Sequence, residues 1–229
     1  LSTGIGLALG GATLGANGAV TSSATLSFTL GTYQVVACTY GTSPPCAKAG
    51  YNITDIVGSY FVMDTNGNGV ERNEKTPIGS LNGIHIGTVQ AAGTSHAGSI
   101  NGTESPDIDA PWTFFGGTGM HQTTSPITDN GDGTLDLSGW NVTWNGIASI
   151  PVVATSPTTI TCNTATCSDT STYTLDGAFH VAGAGFTTVA YTLHLEGSIA
   201  SAVIPVPAAV WLFGSGLLGL AGVARRKAK

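Results

Sequence analysis

The 229-residue sequence predicts an all-β chain, one antiparallel β-sandwich- or jelly-roll-like domain with an apolar helix at its C-terminus. Three observations carry this. Short runs that alternate apolar and polar residues, rich in Thr and aromatics, recur through the body. Asn-Gly and Asp-Gly turns separate them. No part of the body keeps a helical period over about ten residues, and no unit of about 20–50 residues repeats, which disfavours a solenoid.

Taken in order, "TSSATLSFTLGTYQVVACTY" opens the body, followed by "GSYFVMD", "GIHIGTV", "PWTFFG", "GTLDLSGWNVTW", "TYTLDGAFHVAG" and "GFTTVAYTLHLEGSI". In the last run Val189, Tyr191, Leu193 and Leu195 share one face, and Ala190, Thr192, His194 and Glu196 the other. That period of two describes a strand with one buried side. The turns between runs are "DTNGNG", "SLNG", "INGT", "DNGDG" and "TWNG".

Charged residues make up only 9% of the chain, far below the roughly 25% of ordinary soluble domains. Thr, Ser and Asn must therefore make the surface polar. Arg225, Arg226, Lys227 and Lys229 sit in the last five residues. Elsewhere the three bases Lys48, Arg72 and Lys75 face 13 acids, leaving the body at −10. A body this poor in Lys and Arg cannot neutralise phosphates, which excludes nucleic acid as a partner.

Cys38 and Cys46 form one local pair and Cys162 and Cys167 another. Neither spacing makes a zinc knuckle. Two local disulfides are the natural reading for an exported chain, with other pairings and free thiols left open.

Both ends read as addresses rather than fold. Residues 1–18 are apolar, uncharged and small, like the core of a secretory signal, with Ala16 and Gly18 placed for a cut before Ala19. The alternative is a retained first strand able to pair with a neighbouring subunit. Residues 19–203 then form the β domain. In 204–229, Ala208 to Ala224 is a stretch of 17 residues without charge. As a helix it spans about 26 Å, just short of a ~30 Å hydrocarbon core. The basic cluster after it stays cytoplasmic by the positive-inside rule, leaving the body across the inner membrane.

Pro205-Val206-Pro207, the run "AAVWLFGSGLLGLAGVA" and Arg225-Arg226-Lys227 closely resemble the PEP-CTERM sorting signal. The resemblance covers about a tenth of the chain, and Val206 stands where the name-giving Glu would be. It implies transient anchoring in the inner membrane and cleavage near the Pro element by an exosortase, with release to the cell surface or the extracellular polysaccharide. The segment from Ala110 to Ile147 also resembles the body of certain proteins of this class, which raises the expectation of export and fold but not of an activity.

"MDTNGNGVERNEK" is the best candidate for chemistry. Asp64, Asn66 and Asn68 stand at alternate positions with Gly69 next, the order of a calcium loop. Val70 falls where such a loop uses a main-chain carbonyl, and Glu71 lies near the ninth position. The twelfth position is Lys75 and not a bidentate acid, so Glu74 serves only in a loop one residue shorter. The bland alternative is a hairpin turn without Ca²⁺. "TDNGDGTLD", with Asp129, Asp132 and Asp136, reads as a turn before an ion site. "ESPDID", with Glu104, Asp107 and Asp109, reads as a solvated acidic loop.

His85, His96, His121, His180 and His194 are scattered without a zinc motif, and the body contains no G-x-S-x-G elbow. Trp140 and Trp144 have even spacing and could form a sugar-stacking pair, although core packing of the aromatics is the favoured reading. The expectation is a non-enzymatic, exported structural or adhesive protein, with Ca²⁺ as a stabiliser. The competing readings are a carbohydrate-binding module of the polysaccharide matrix, a secreted hydrolase and a self-associating fibre subunit.

Overall fold

The computed structural model describes residues 19–37, 52–69, 74–92, 108–186 and 189–201. The signal-like residues 1–18, the sorting tail with Pro205, Val206, Pro207, Arg225, Arg226 and Lys227, and also Cys38, Cys46, Val70 and Glu71, lie outside the described residues. Within them the chain is all-β: fifteen strands, every laddered pair antiparallel. No helix of the described residues is long and apolar enough to cross a membrane.

The spine is a long hairpin of β14 (Thr172–Val181) and β15 (Val189–Ser201), paired from Thr172↔Ser198 to Val181↔Val189. Its alternation follows the sequence. Tyr191, Leu193 and Leu195 turn inward and are buried, and Val189 packs against the same core, while His194 and Glu196 stay on the outer face.

Each outer edge of the spine carries two strands in succession. Along β15, residues 191–194 pair with β4 (Tyr60–Met63) and residues 197–201 with β1 (Ala24–Phe28). Along β14, residues 179–181 pair with β12 (Ile147–Ala154) and residues 173–176 with β13 (Thr158–Cys162). The 13-stranded sheet therefore forks into two curled halves. One half adds β5 (Lys75–Pro77) beyond β4, and β11 (Trp140–Trp144), β8 (Gly117–Thr123) and β7 (Trp112–Phe114) beyond β12. The other adds β6 (Ile84–His85) beyond β1, and β10 (Thr134–Asp136) and β9 (Thr128–Asp129) beyond β13.

Both halves come close to sealing into barrels. In the first, Ser80 bridges Asp109, Ala110 N–H donates to Gly79 O at 2.8 Å, and Leu81 N–H donates to Ile108 O at 3.0 Å. These bonds tie the chain leaving β5 to the chain entering β7. In the second, Gly87 N–H donates to Ile127 O at 2.8 Å, joining the segments beside β6 and β9. Side chains from both halves fill one continuous core.

The split on the β15 edge has a specific plug. Ser59 is buried, and its hydroxyl accepts from Glu196 N–H at 3.0 Å and donates to Glu196 O at 3.3 Å. Glu196 lies where β15 changes partner from β4 to β1. The next residue must be glycine, since a Cβ on Gly197 would fall 1.8 Å from the Ser27 carbonyl oxygen.

Outside the barrel sheet stands a two-stranded hairpin, β2 (Thr32–Ala37) with β3 (Asn52–Val57). The Lys75–Asp55 ion pair, at 2.8 Å, ties it to β5. Cys162 and Cys167 form a disulfide, S–S 2.01 Å, that staples the turn after β13.

Candidate functional site

The interior of the first half-barrel holds a polar network. Asp109 lies in the segment entering β7, His121 on β8, Trp112 on β7 and Tyr191 on β15. His121 Nδ1 meets Asp109 Oδ2 at 2.6 Å, and the His121 backbone N–H donates to Asp109 Oδ1 at 2.8 Å. Trp112 Nε1–H donates to Asp109 Oδ2 at 3.0 Å. With the carboxylate as acceptor, Nδ1 carries the proton, and Nε2 accepts from the Tyr191 hydroxyl at 2.7 Å. Burial pushes the Tyr191 pKa well up from its ordinary value, so the phenol stays a neutral donor.

A carboxylate, an imidazole and a hydroxyl in line are the parts that activate a nucleophile when the hydroxyl faces substrate. Here Asp109 and His121 are 0% exposed and Tyr191 1% exposed. The Tyr191 ring stacks on Phe61 at 5.5 Å and meets Phe179 edge-on at 5.8 Å. The adjoining apolar cavity, between Phe61, Trp112, Trp144, Phe186 and Tyr191, measures about 20 Å³, little more than the space of one water. The hydroxyl is closed off from solvent, and the network ties β7, β8 and β15 together.

Sequence reasoning placed Asp109 in a solvated loop, and this is corrected: it is the buried anchor of the network, held by three donors. Trp140 follows the favoured core-packing reading, and the sugar-stacking role open to it does not hold. It is 1% exposed and stacks on His121 at 4.8 Å, so it offers no face to a glycan. Trp144 points to the same core, half-buried against Phe114 and Phe186, with its Nε1–H donating to Phe114 O at 2.9 Å. The two share a strand face, as their spacing predicts, but it is the inner face.

A second cluster lies on the outer face, where register aligns Asp176, His194 and Tyr60 across β14, β15 and β4. His194 Nδ1 meets Asp176 Oδ1 at 2.6 Å and Nε2 meets Glu196 Oε1 at 3.0 Å. The Tyr60 ring stacks on His194 at 4.9 Å, and Lys75 Nζ lies 3.9 Å from the Tyr60 centroid. The Asp176 hydrogen bond, helped by Glu196 and opposed by partial burial, raises the His194 pKa above its ordinary value. Both imidazole nitrogens are engaged by carboxylates, which leaves no lone pair for a metal.

The Asp64 turn is exposed. Asp64 Oδ1 accepts from Gly67 N–H at 2.7 Å and Oδ2 from Gly69 N–H at 3.0 Å, while Asn66 Oδ1 accepts from Asn68 N–H at 3.0 Å. Glu74 folds back on the loop start, where Oε1 accepts from Thr65 N–H at 2.9 Å and from its hydroxyl at 2.8 Å. The side-chain oxygens of Asp64, Asn66 and Glu74 are thus taken up by the loop's own donors, and among the described residues no group of three or more His, Cys, Asp or Glu side chains gathers that could hold a metal ion. The Asp129–Asp132 turn is closed by its own side chains: Asp132 Oδ1 accepts from Thr134 N–H at 3.0 Å and from the Thr134 hydroxyl at 2.6 Å. That hydroxyl is the chief cause holding the Asp132 carboxyl below its ordinary pKa. This is the turn chemistry the sequence suggested.

One open groove of about 430 Å³ runs between the β9–β10 turn and the β12–β13 turn, with Asn130, Asp136, Thr155, Ser156 and Pro157 on its walls. Its size suits a small polar ligand. The two histidine clusters left little trace in the sequence, because each joins residues from separate strands. The only signal was Asp109 three residues before Trp112, a spacing that says nothing alone. Compared with known proteins, the chain matches no family model, no curated protein and no solved structure.

Proposed function

We propose that this chain is an exported, non-enzymatic structural or adhesive protein of the cell surface or extracellular matrix. The sealed Asp109–His121–Tyr191 relay carries the reading: nucleophile-type geometry is spent on holding strands together, out of reach of any substrate. In this reading the body keeps a sandwich- or jelly-roll-like organisation, and Ala208–Ala224 is a transmembrane sorting helix that an exosortase removes. The order of Asp64, Asn66 and Asn68 before Gly69, with Glu74 folded back on Thr65, supports weak Ca²⁺ binding at the β4–β5 turn.

A carbohydrate-binding role is the second reading. It loses the Trp140–Trp144 platform, and the groove walled by Asn130, Asp136 and Ser156 now supports it, since hydroxyl and amide groups beside a carboxylate suit a neutral glycan.

Native mass spectrometry of the secreted protein, with and without calcium, tests the first reading. The secreted mass is expected to lack the residues beyond Pro205–Pro207. One bound Ca²⁺ is expected on the native chain and none on Asp64→Ala. An intact Lys229 in exported material would sink the sorting proposal, and identical spectra for both chains would remove the ion.

A further inference from the structure

We propose that the open groove of about 430 Å³ between the β9–β10 turn and the β12–β13 turn binds one amino sugar unit, with its ammonium on Asp136 and its hydroxyls on Asn130, Ser156 and Thr158. The inference rests on the carbohydrate-binding reading of this groove and sharpens it: a neutral sugar is accommodated there, and one bearing an ammonium is preferred.

The groove lies at the second fork of the sheet. β14 pairs with β13 up to Asp176 and with β12 from Phe179, and residues 155–157 bridge the change. Thr155 N–H and the Thr155 hydroxyl both donate to Ala178 O at 2.9 Å, which pins that turn. On the β15 edge the corresponding split is filled by the Ser59 hydroxyl, bonded twice to the Glu196 backbone. On the β14 edge the hydroxyl beside the split is that of Thr158, which is 1% exposed and has no hydrogen-bond partner. A buried hydroxyl left unpaired costs the fold. In the lining of a groove, such a group is a place for a polar ligand.

The rest of the lining chooses the kind of ligand. Leu135 and Leu137 are buried, while the exposed residues bring an amide and hydroxyls and no aromatic ring. Asn130 Nδ2 donates to the Thr134 hydroxyl at 2.9 Å, which leaves its Oδ1 as an acceptor. Hydroxyl and amide groups around a small apolar patch suit a compact ring with hydroxyls at its edge.

Charge adds the ammonium. Asp136 is exposed, its Oδ1 accepts from Ser138 N–H at 2.8 Å, and its Oδ2 has no partner among the described residues. Asp129 and Asp132 stand on either side of Asn130, and their own partners are uncharged donors. The one Lys or Arg among the described residues is Lys75, on β5 in the other half and paired with Asp55. The groove therefore carries negative charge with no cation of its own, which draws an ammonium and repels a carboxylate.

Nuclear magnetic resonance titration of the full chain in mild detergent tests this, at about pH 6 where the amine is an ammonium. Glucosamine is expected to shift the amides of Asn130 and Thr155 and to bind about fivefold tighter than glucose, the size of an exposed ion pair. Added salt is expected to shrink that advantage, and glucuronate is expected not to bind. Asp136→Asn keeps an acceptor for Ser138 N–H and is expected to bind both sugars equally. Thr158→Val is expected to weaken both sugars while the melting temperature holds or rises, since the deleted hydroxyl has no partner to lose. Glucosamine no tighter than glucose overturns the proposal and leaves the carbohydrate reading of the groove standing. No sugar bound at all overturns both. Putrescine binding as tightly as glucosamine also overturns the proposal, because the groove would then recognise an amine without a sugar.

Discussion

Asp109 accepts three hydrogen bonds where no solvent reaches it. Removing one partner of such a set strands the others, and an unmet buried donor costs more than the bond was worth. Asp109→Ala leaves the Trp112 indole and both His121 donors unmet, with an expected loss of about 3–5 kcal/mol. Tyr191→Phe removes only the donor to His121 Nε2, with an expected loss of about 1–3 kcal/mol. Urea midpoints at unchanged slope measure both. His194 tests the outer face. Its pKa is raised in the folded chain, chiefly by Asp176, so the imidazolium is the form the fold favours. The contribution is therefore complete below about pH 6.5, the unfolded value, and is lost as pH rises through the folded pKa. The melting temperature of wild type relative to His194→Gln is expected to fall as pH rises above about 6.5, as read by calorimetry in matched buffers.

At the scale of elements, the fork along β15 decides the shape. One strand edge serves both β4 and β1, and a continuous ladder cannot turn into two without a gap. Ser59 fills that gap with a hydroxyl that both accepts from and donates to the Glu196 backbone. Ser59→Ala leaves the Glu196 N–H unpaired in the interior, an expected cost of about 1–3 kcal/mol. Hydrogen exchange is expected to speed up in β1 and β4, which flank the fork, and to change least in β8. Several strands were legible: β14 and β15 fall on alternating runs, β11 on the alternating sequence Trp-Asn-Val-Thr-Trp, and β4 on the short apolar run Tyr-Phe-Val-Met. β8 was not, because all seven of its residues are buried. A strand covered on both faces shows no alternation, so His121 could not be assigned inward from "GTGMHQT".

At the scale of the whole molecule, contacts that define the fold join distant parts of the chain. β1 pairs with the far end of β15, Ala24 against Ser201, and Asp109 reaches Tyr191 only through His121. Sequence by itself determined the all-β class, the antiparallel habit, the turn positions and the inward face of β15. These follow from local rules, namely period-two burial and the positive-φ demands of Asn-Gly and Asp-Gly turns. It also supplied the reading of the two ends, on which the described residues are silent. Only tertiary structure decided that Trp140 is core and not a glycan platform, that Asp109 is a buried anchor, and that β2 pairs with β3 in a sheet of its own. The physical reason is that burial belongs to a residue's surroundings. Asp109 and Trp140 owe theirs to strands far along the chain, and no window of local sequence contains those strands.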